Sequence, residues 1–443
     1  MRRWFLIVVV VLVVTGAVPV SAVDGEFECD GLVATIVGTE GDDELVGTDE
    51  ADVIVGLGGD DVIVAGAGDD VVCAGAGRDE VDGGEGNDRV FGIAGRNKLK
   101  GGVGDDLLVG GGGRDHLLGH AGSDQLYGRH GTDLLEGGSG DDTLNGGVGI
   151  DSMGGGEGDD VLIGGPGGDG LFGNRGNDVA FGGDGDDRLY DASYDPLHEF
   201  GEDEDVFRGG PGNDRFSTRC GADRLYGGLG DDGFVLEYDT CLGSSVTYGQ
   251  DGNDSFTVDN WVGEAESCVL PEVTIRLFGH GGKDHFDVDS LIWNRSCAEI
   301  IIKGGPGPRD KFDSGWIGEP MVIDLERGFA KVRHWPWSER FRLSSIENAD
   351  GGNNDDLIVG NDLANVLSAG RGSDVVHGQG GDDTIDGHSG PDQIYGGDGD
   401  DTLEGGRNND LLDGGAGTDD LDGGGGTDTC VNGETYVSCE LPL

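Results

Sequence analysis

Between Gly38 and Tyr190 the chain repeats a nine-residue unit seventeen times in unbroken register, from GTEGDDELV through GGEGNDRVF and GGSGDDTLN to GGDGDDRLY. The sixth position is Asp in every unit except the one holding Asn97, and the eighth is always apolar, from Leu45 and Ile54 through Met153 to Leu189. A second array, residues 351–431, adds nine more units, among them AGRGSDVVH, GQGGDDTID and GGDGDDTLE, with Asn365 as its one exception at position six. Nine residues suit a flattened coil, about six for a tight turn and three for a strand rising roughly 3.3 Å per residue. Two units then make one full coil, and each side is revisited every eighteen residues. The expected fold class is all-β, a parallel β-solenoid.

Composition favours disorder at first sight, with 94 glycines, 7% aromatic residues and a formal charge of −60. Disorder does not explain an aliphatic residue at every ninth place. Each unit offers about one apolar side chain for burial, too little to offset the entropy of fixing its backbone, so folding is expected to wait for metal. Like-charge repulsion of this size must be neutralised before the chain compacts, and it excludes nucleic acid as a partner.

The N-terminus reads as export machinery. Arg2 and Arg3 precede an apolar run from Trp4 to Val14, and Val20-Ser21-Ala22 forms a small-residue cleavage site, so residues 1–22 are expected to be a signal peptide removed after Ala22. The run is short for a membrane span, which leaves an uncleaved anchor as the alternative; the expectation is a secreted or extracellular protein, free or associated with the cell surface, with no stable membrane insertion after cleavage. All eight cysteines lie beyond that point, none in CxxC spacing, and an even number in an exported chain implies disulfides. Neighbouring coils about 4.8 Å apart permit bridges between them. The expected pairs are Cys220 with Cys241, Cys268 with Cys297, Cys430 with Cys439, and Cys29 with Cys73.

Residues 23–37 read as an N-terminal cap, 38–190 as the first array, 351–431 as the second and 432–443 as a C-terminal cap. The irregular middle, 191–350, still holds repeat-like turns: GGPGNDRFS at 209, GGLGDDGFV at 227, GQDGNDSFT at 249, GHGGKDHFD at 279 and GGPGPRDKF at 304. They lead into alternating stretches such as Phe256 and Val258, with return strands at VTIRLF and EIIIK, so the solenoid is expected to continue there with wider coils.

Glycine-rich turns bring backbone carbonyls within reach of a cation, and carbonyls plus an Asp carboxylate form the hard oxygen set that calcium prefers. An ion between coils would take Asp43 from one turn and Asp61 from the next, while Asp52 and Asp70 serve the opposite edge. The candidate ligands in the first array are Asp43, Asp52, Asp61, Asp70, Asp79, Asp88, Asp106, Asp115, Asp124, Asp133, Asp142, Asp151, Asp160, Asp169, Asp178 and Asp187. In the middle they are Asp214, Asp232 and Asp254, and in the second array Asp356, Asp374, Asp383, Asp392, Asp401, Asp410, Asp419 and Asp428. Asp also caps turns without metal, but that chemistry accepts Asn or Ser as readily, which a nearly invariant Asp argues against.

In these residues the chain resembles the haemolysin-type, or RTX, calcium-binding repeat family. The resemblance covers both arrays and implies a right-handed parallel β-roll with multiple Ca2+ ions between successive turns. It assigns the glycines at positions one, two and four to carbonyl and turn roles, the position-six Asp to the carboxylate role, and Leu45, Ile63, Leu108, Leu144, Ile385 and Leu403 to the interior. Ser345 to Leu367 resembles the lead-in found before such repeats, and the cysteine-bearing ends resemble exported calcium-binding proteins of high-GC Gram-positive bacteria. Departures fall at GIAGRNKLK, expected to be metal-free, and at GTDEADVIV and GNDLANVLS, which lack the glycine at position four and are expected to bind poorly.

No zinc-protease HExxH, GxSxG elbow or phosphate-binding loop occurs, and no catalytic or cofactor-binding residue is assigned beyond the calcium ligands. The expectation is a non-enzymatic secreted calcium-binding protein of structural or adhesive role. The alternative is a carbohydrate-active solenoid using its middle region, where RHWPWSERFR sets Trp335 and Trp337 among Arg333, Arg340 and Arg342. A cell-wall or extracellular glycan is the partner this patch suggests.

Overall fold

A computed structural model describes residues 21–23, 26–191, 204–218, 221–237, 244–259, 274–289, 299–306, 309–314, 321–332 and 341–439. The expected signal segment up to residue 20, the pairs Cys220 with Cys241 and Cys268 with Cys297, and Trp261, Trp335 and Trp337 lie outside them. Every regular element among the described residues is a β-strand. The chain divides into two compact units, Met1–His130 and Gly131–Leu443.

In the first unit successive strands alternate between two parallel sheets. One sheet pairs Val53–Val55, Val71–Gly77, Arg89–Gly95 and Leu107–Gly113 through the partners Val53↔Val71, Arg89↔Val71 and Arg89↔Leu107. The other pairs Glu44–Val46, Val62–Ala67, Glu80–Glu85, Lys98–Val103 and His116–Ala121. Every step is eighteen residues, so two nonapeptides make one coil. Position-eight side chains point between the sheets, and Ile63, Val72, Val81, Val90, Leu99 and Leu108 are fully buried. Leu45, on the first coil, is only half-buried because one side of its stack is open.

The segment before the repeats forms an antiparallel hairpin, Glu26–Cys29 with Leu32–Val33. It lies on the outer face of the first sheet, where Cys29 packs with Val55, Cys73, Phe91 and Val109. The Cys29–Cys73 disulfide, across 44 residues, fastens the hairpin there.

The second unit has the same two-sheet construction. Its regular coils keep the eighteen-residue step, as in Val161↔Val179 and Thr384↔Thr402. Between them the coils widen without losing strand register: Val179 pairs with Val206, Val246 with Arg276 and Lys311 with Asn348. The expected wider coils are therefore present. Here position eight changes from aliphatic to Phe, and Phe216, Phe234, Phe256 and Phe286 stack with centroids 4.6 to 5.0 Å apart. Rings at one coil spacing fill an interior that longer coils would leave underpacked. Past Lys303 the sheet that carries Val179–Asp184 and Val206–Pro211, the first sheet of this unit, gains an antiparallel insertion, Met321–Asp324 with Phe329–Val332, the latter pairing with Phe341–Ser344. The Cys430–Cys439 disulfide closes the last coil.

Candidate metal centre

Each position-six Asp lies where strand leaves turn, and its side chain folds inward. Its Oδ1 accepts the backbone N–H of the Asp one coil earlier: Asp61 from Asp43, Asp79 from Asp61 and Asp115 from Asn97 on one edge, Asp70 from Asp52, Asp88 from Asp70 and Asp106 from Asp88 on the other. In the second unit one ladder runs Asp151, Asp169, Asp187, Asp214, Asp232, Asp254 and Asp284, each accepting from its predecessor at 2.7 to 3.0 Å. The other edge carries Asp160, Asp178 and Asp205, and later Asp374, Asp392, Asp410 and Asp428. Asp383, Asp401 and Asp419 continue the opposite side beyond Asn365. Position-five side chains reach the opposite way: Asp42 and Asp60 accept from Asp60 and Arg78 one coil later. The buried N–H groups of position six are thereby satisfied.

The second carboxylate oxygen is treated differently. Among the described residues, Oδ2 is buried without a hydrogen-bond donor in Asp61, Asp70, Asp79, Asp88 and Asp106 of the first unit, and in Asp151, Asp160, Asp169, Asp187, Asp214, Asp232 and Asp254 of the second. The same holds for Asp356, Asp374, Asp383, Asp392, Asp401, Asp410 and Asp419. Most of these oxygens sit against the first-position glycine of their own unit, whereas for Asp70, Asp79 and Asp374 that position is Ala65, Ala74 and Ala369. A Cβ on Gly387 would stand 2.8 Å from Asp392 Oδ2 and 2.7 Å from the Gly405 carbonyl oxygen; one on Gly405 would meet Asp410 Oδ2 at 2.7 Å and Gly423 O at 2.8 Å. In the glycine-led units two acceptors thus share one hollow, and the missing Cβ keeps it open. The second position holds its carbonyl by a left-handed backbone that even Leu57 and Ile93 adopt, at φ 78° and 74°.

Asn97 is an internal contrast. Its Oδ1 still accepts the Asp79 N–H, at 3.2 Å, but its Nδ2 occupies the hollow and donates to Gly110 O at 3.4 Å. The ladder therefore accepts an amide. Only the carboxylate leaves acceptor facing acceptor, an arrangement that needs a proton or a cation between the oxygens.

Burial pushes these carboxyls up, opposed by the accepted N–H and reinforced by neighbouring carboxylates. Asp88 is raised to about 6, Asp106 and Asp169 to about 7, and Asp160, Asp232 and Asp356 to about 8. Asp52 moves the opposite way, because Thr48 donates its hydroxyl and backbone N–H to Oδ2, both at 2.8 Å. Asp43 has the same arrangement with Thr39. In GNDLANVLS the Asn361 N–H likewise donates to Asn365 Oδ1 at 2.8 Å, while Asn365 Nδ2 turns to Glu347 O. In these three units the outer atom already has a donor.

Asp205, Asp223 and Asp310 occupy ladder positions that the glycine-rich nine-residue pattern misses, and Asp284, position six of GHGGKDHFD, joins them although it is not among the candidate ligands above. Asp205 and Asp223 accept the N–H groups of Asp178 and Asp205, and Asp284 and Asp310 those of Asp254 and Asp284. Asp205 is fully buried and raised to about 9, by burial first and then by Asp223. The signal available for them is Asp, any residue, then a large apolar one, as in DVF, DRL, DHF and DKF. Ser245, Glu347 and Glu434 stand in for Asp where a ladder is interrupted or ends.

The RTX calcium-binding nonapeptide-repeat family model matches residues 37–190, 201–234 and 359–430, more than half of the sequence. The chain belongs to that family. No curated protein matches it in a sequence comparison. The RTX repeats make this a calcium-binding β-roll protein, and the hollows fit the ion: small, lined by hard oxygens and short of positive charge. Among the described residues no three His, Cys, Asp or Glu side chains converge to hold a metal, so backbone carbonyls must complete each ligand set.

Proposed function

We propose that this RTX protein is exported unfolded and becomes a structural or adhesive β-roll when it meets extracellular calcium. The position-six Asp residues of both arrays other than Asp43 and Asp52, together with Asp214, Asp232 and Asp254 and joined by Asp205, Asp284 and Asp310, would supply carboxylate oxygens, and first-position residues and their neighbours carbonyls. Bound calcium supplies positive charge to rows of carboxylates that otherwise repel one another. The observation that carries this reading is the contrast between Asp Oδ2, facing a carbonyl without a donor, and Asn97, whose amide donates to the equivalent carbonyl. Two disulfides fit an oxidising location. The two arrays, the wider middle and the capped ends act as one calcium-dependent scaffold without catalysis.

Modules of this kind outside the cell bind at about 0.1 to 1 mM, so secretion itself acts as the switch. Calcium suits a carbonyl-rich flexible cradle better than magnesium, which demands a tighter octahedron and keeps its waters. The test is far-UV circular dichroism of residues 23–443, disulfides intact, titrated with each ion separately. A cooperative rise of β signal near millimolar calcium, absent with magnesium, is expected. A β spectrum complete in chelator would overturn calcium-driven folding.

A further inference from the structure

In a chain with 88 acidic and 28 basic residues, one sheet face of the second unit departs from the general charge. The first sheet between Val206 and Ser344 turns position-seven and position-nine side chains outward. Position seven carries Arg224, Val246, Arg276, Ile301 and Arg342 on consecutive coils, linked by strand register. Position nine carries Arg208, Tyr226, Tyr248, Phe278 and Lys303. Arginine therefore recurs on every second coil of one column, a spacing of about 9.6 Å from the 4.8 Å between strands.

The other column is a continuous stack. Tyr226, Tyr248 and Phe278 lie ring on ring, with centroids 5.1 and 4.9 Å apart. Arg208 caps one end, 5.2 Å above Tyr226, and Lys303 the other, 5.4 Å from Phe278. Among the described residues Arg208, Arg276 and Lys303 have no carboxylate partner, and Arg224 has only Glu204, at 3.7 Å. The hydroxyls of Tyr226 and Tyr248 have no protein partner among those residues either. Stacked rings present edges and hydroxyls rather than faces, so the column donates hydrogen bonds more readily than it stacks on a ligand. The outward positions of the opposite sheet carry Asp287, Asp313 and Asp350 in register, so the positive face is not a general property of these coils.

We infer that this face binds a linear acidic polysaccharide lying along the coil stack, its carboxylate or sulfate groups on Arg224, Arg276 and Lys303 and its hydroxyls on Tyr226 and Tyr248. Two coils span the length of a disaccharide in an extended chain, which matches one anionic group per disaccharide to one arginine. The arginine fork and lysine ammonium form charge-assisted bonds with such groups. Screening over about 8 Å at physiological salt confines the attraction to this face and keeps the acidic coils beyond it from dominating. The inference names a partner for the adhesive reading above and rests on it.

The probe is hyaluronan, with one carboxylate per disaccharide, measured by calorimetry against the full calcium-treated chain. Chondroitin sulfate tests sulfate as the anionic group, neutral dextran tests sugar without charge, and single-stranded DNA tests a different polyanion. Saturable binding to hyaluronan or chondroitin sulfate, weakened about tenfold or more in Arg224→Gln/Arg276→Gln/Lys303→Gln and unchanged in Arg188→Gln/Arg215→Gln/Lys283→Gln, is expected. Indifference to the first triple variant, equal binding of dextran, or tighter binding of DNA would overturn it. Circular dichroism of each variant separates the two readings. A chain that is β-folded without calcium refutes calcium-driven folding yet leaves this comparison valid, whereas a folded chain that ignores both polysaccharides refutes the inference.

Discussion

Replacing Asp169 by Asn should have opposite effects with and without calcium. Asp169 is fully buried, accepts the Asp151 N–H at 2.8 Å through Oδ1, and has an Oδ2 without a donor. Its carboxyl is raised from 3.8 to about 7 by burial. Roughly three pKa units correspond to about 4 kcal/mol against the ionised form, which partial solvent screening reduces to about 2 kcal/mol. Asn97 demonstrates that an amide preserves the ladder and pairs with the facing carbonyl. In chelator at neutral pH, with enough sucrose to populate the coils, Asp169→Asn should therefore stabilise the fold by about 2 kcal/mol. In calcium at about a hundred times its dissociation constant, the same change should remove about 2.7 kcal/mol of binding stabilisation and lower the stoichiometry. Asp52→Asn is the comparison, because its Oδ2 already has Thr48 donors and its carboxyl is lowered. It should destabilise in chelator and barely alter calcium binding. Denaturant unfolding of the variants in both conditions measures all four effects. A loss of equal size for Asp169→Asn in chelator and in calcium would refute the reasoning, since it would make the carboxylate a turn fastener only.

Other outcomes follow from the same geometry. Because the folded-state carboxyls lie above their unfolded value of 3.8, at about 6 to 8 in Asp88, Asp106 and Asp160, the metal-free fold takes up protons; its stability is full below about 3.8 and is lost as pH rises through 6 to 8. Circular dichroism in chelator should show β structure near pH 4 that disappears by pH 8, and calcium affinity should fall as pH is lowered. Asn97→Asp should restore the acceptor pair with Gly110 O and add calcium at that turn, read as increased stoichiometry. Phe234→Ala, in the middle of the ring stack, should cost about 3 to 5 kcal/mol in calcium without changing the stoichiometry of the regular arrays. Reducing Cys29–Cys73, which closes 44 residues, should remove about 4 kcal/mol and raise the calcium concentration needed to order the first unit, checked by hydrogen exchange.

The period of nine by itself determined the coil. An Asp at position six and an aliphatic at position eight are local demands of a turn and a short strand, and repetition fixes the eighteen-residue step seen in Val53↔Val71 and Thr384↔Thr402. It also marked GTDEADVIV and GNDLANVLS as unlike the rest, though not the reason: Thr48 and Asn361 hand the outer atom a donor. Only the tertiary structure divided the labour between the two oxygens of each Asp, because one partner lies a full coil away and the other oxygen is defined by what fails to reach it. It also placed Asp205, Asp223 and Asp310, whose separations from their ladder partners are 27, 18 and 26 residues. Insertions at the coil edges change spacing along the chain while leaving strand register intact, because backbone pairing between neighbouring coils depends on contact in space. For the same reason Arg224, Arg276 and Arg342, scattered over more than a hundred residues, become one column.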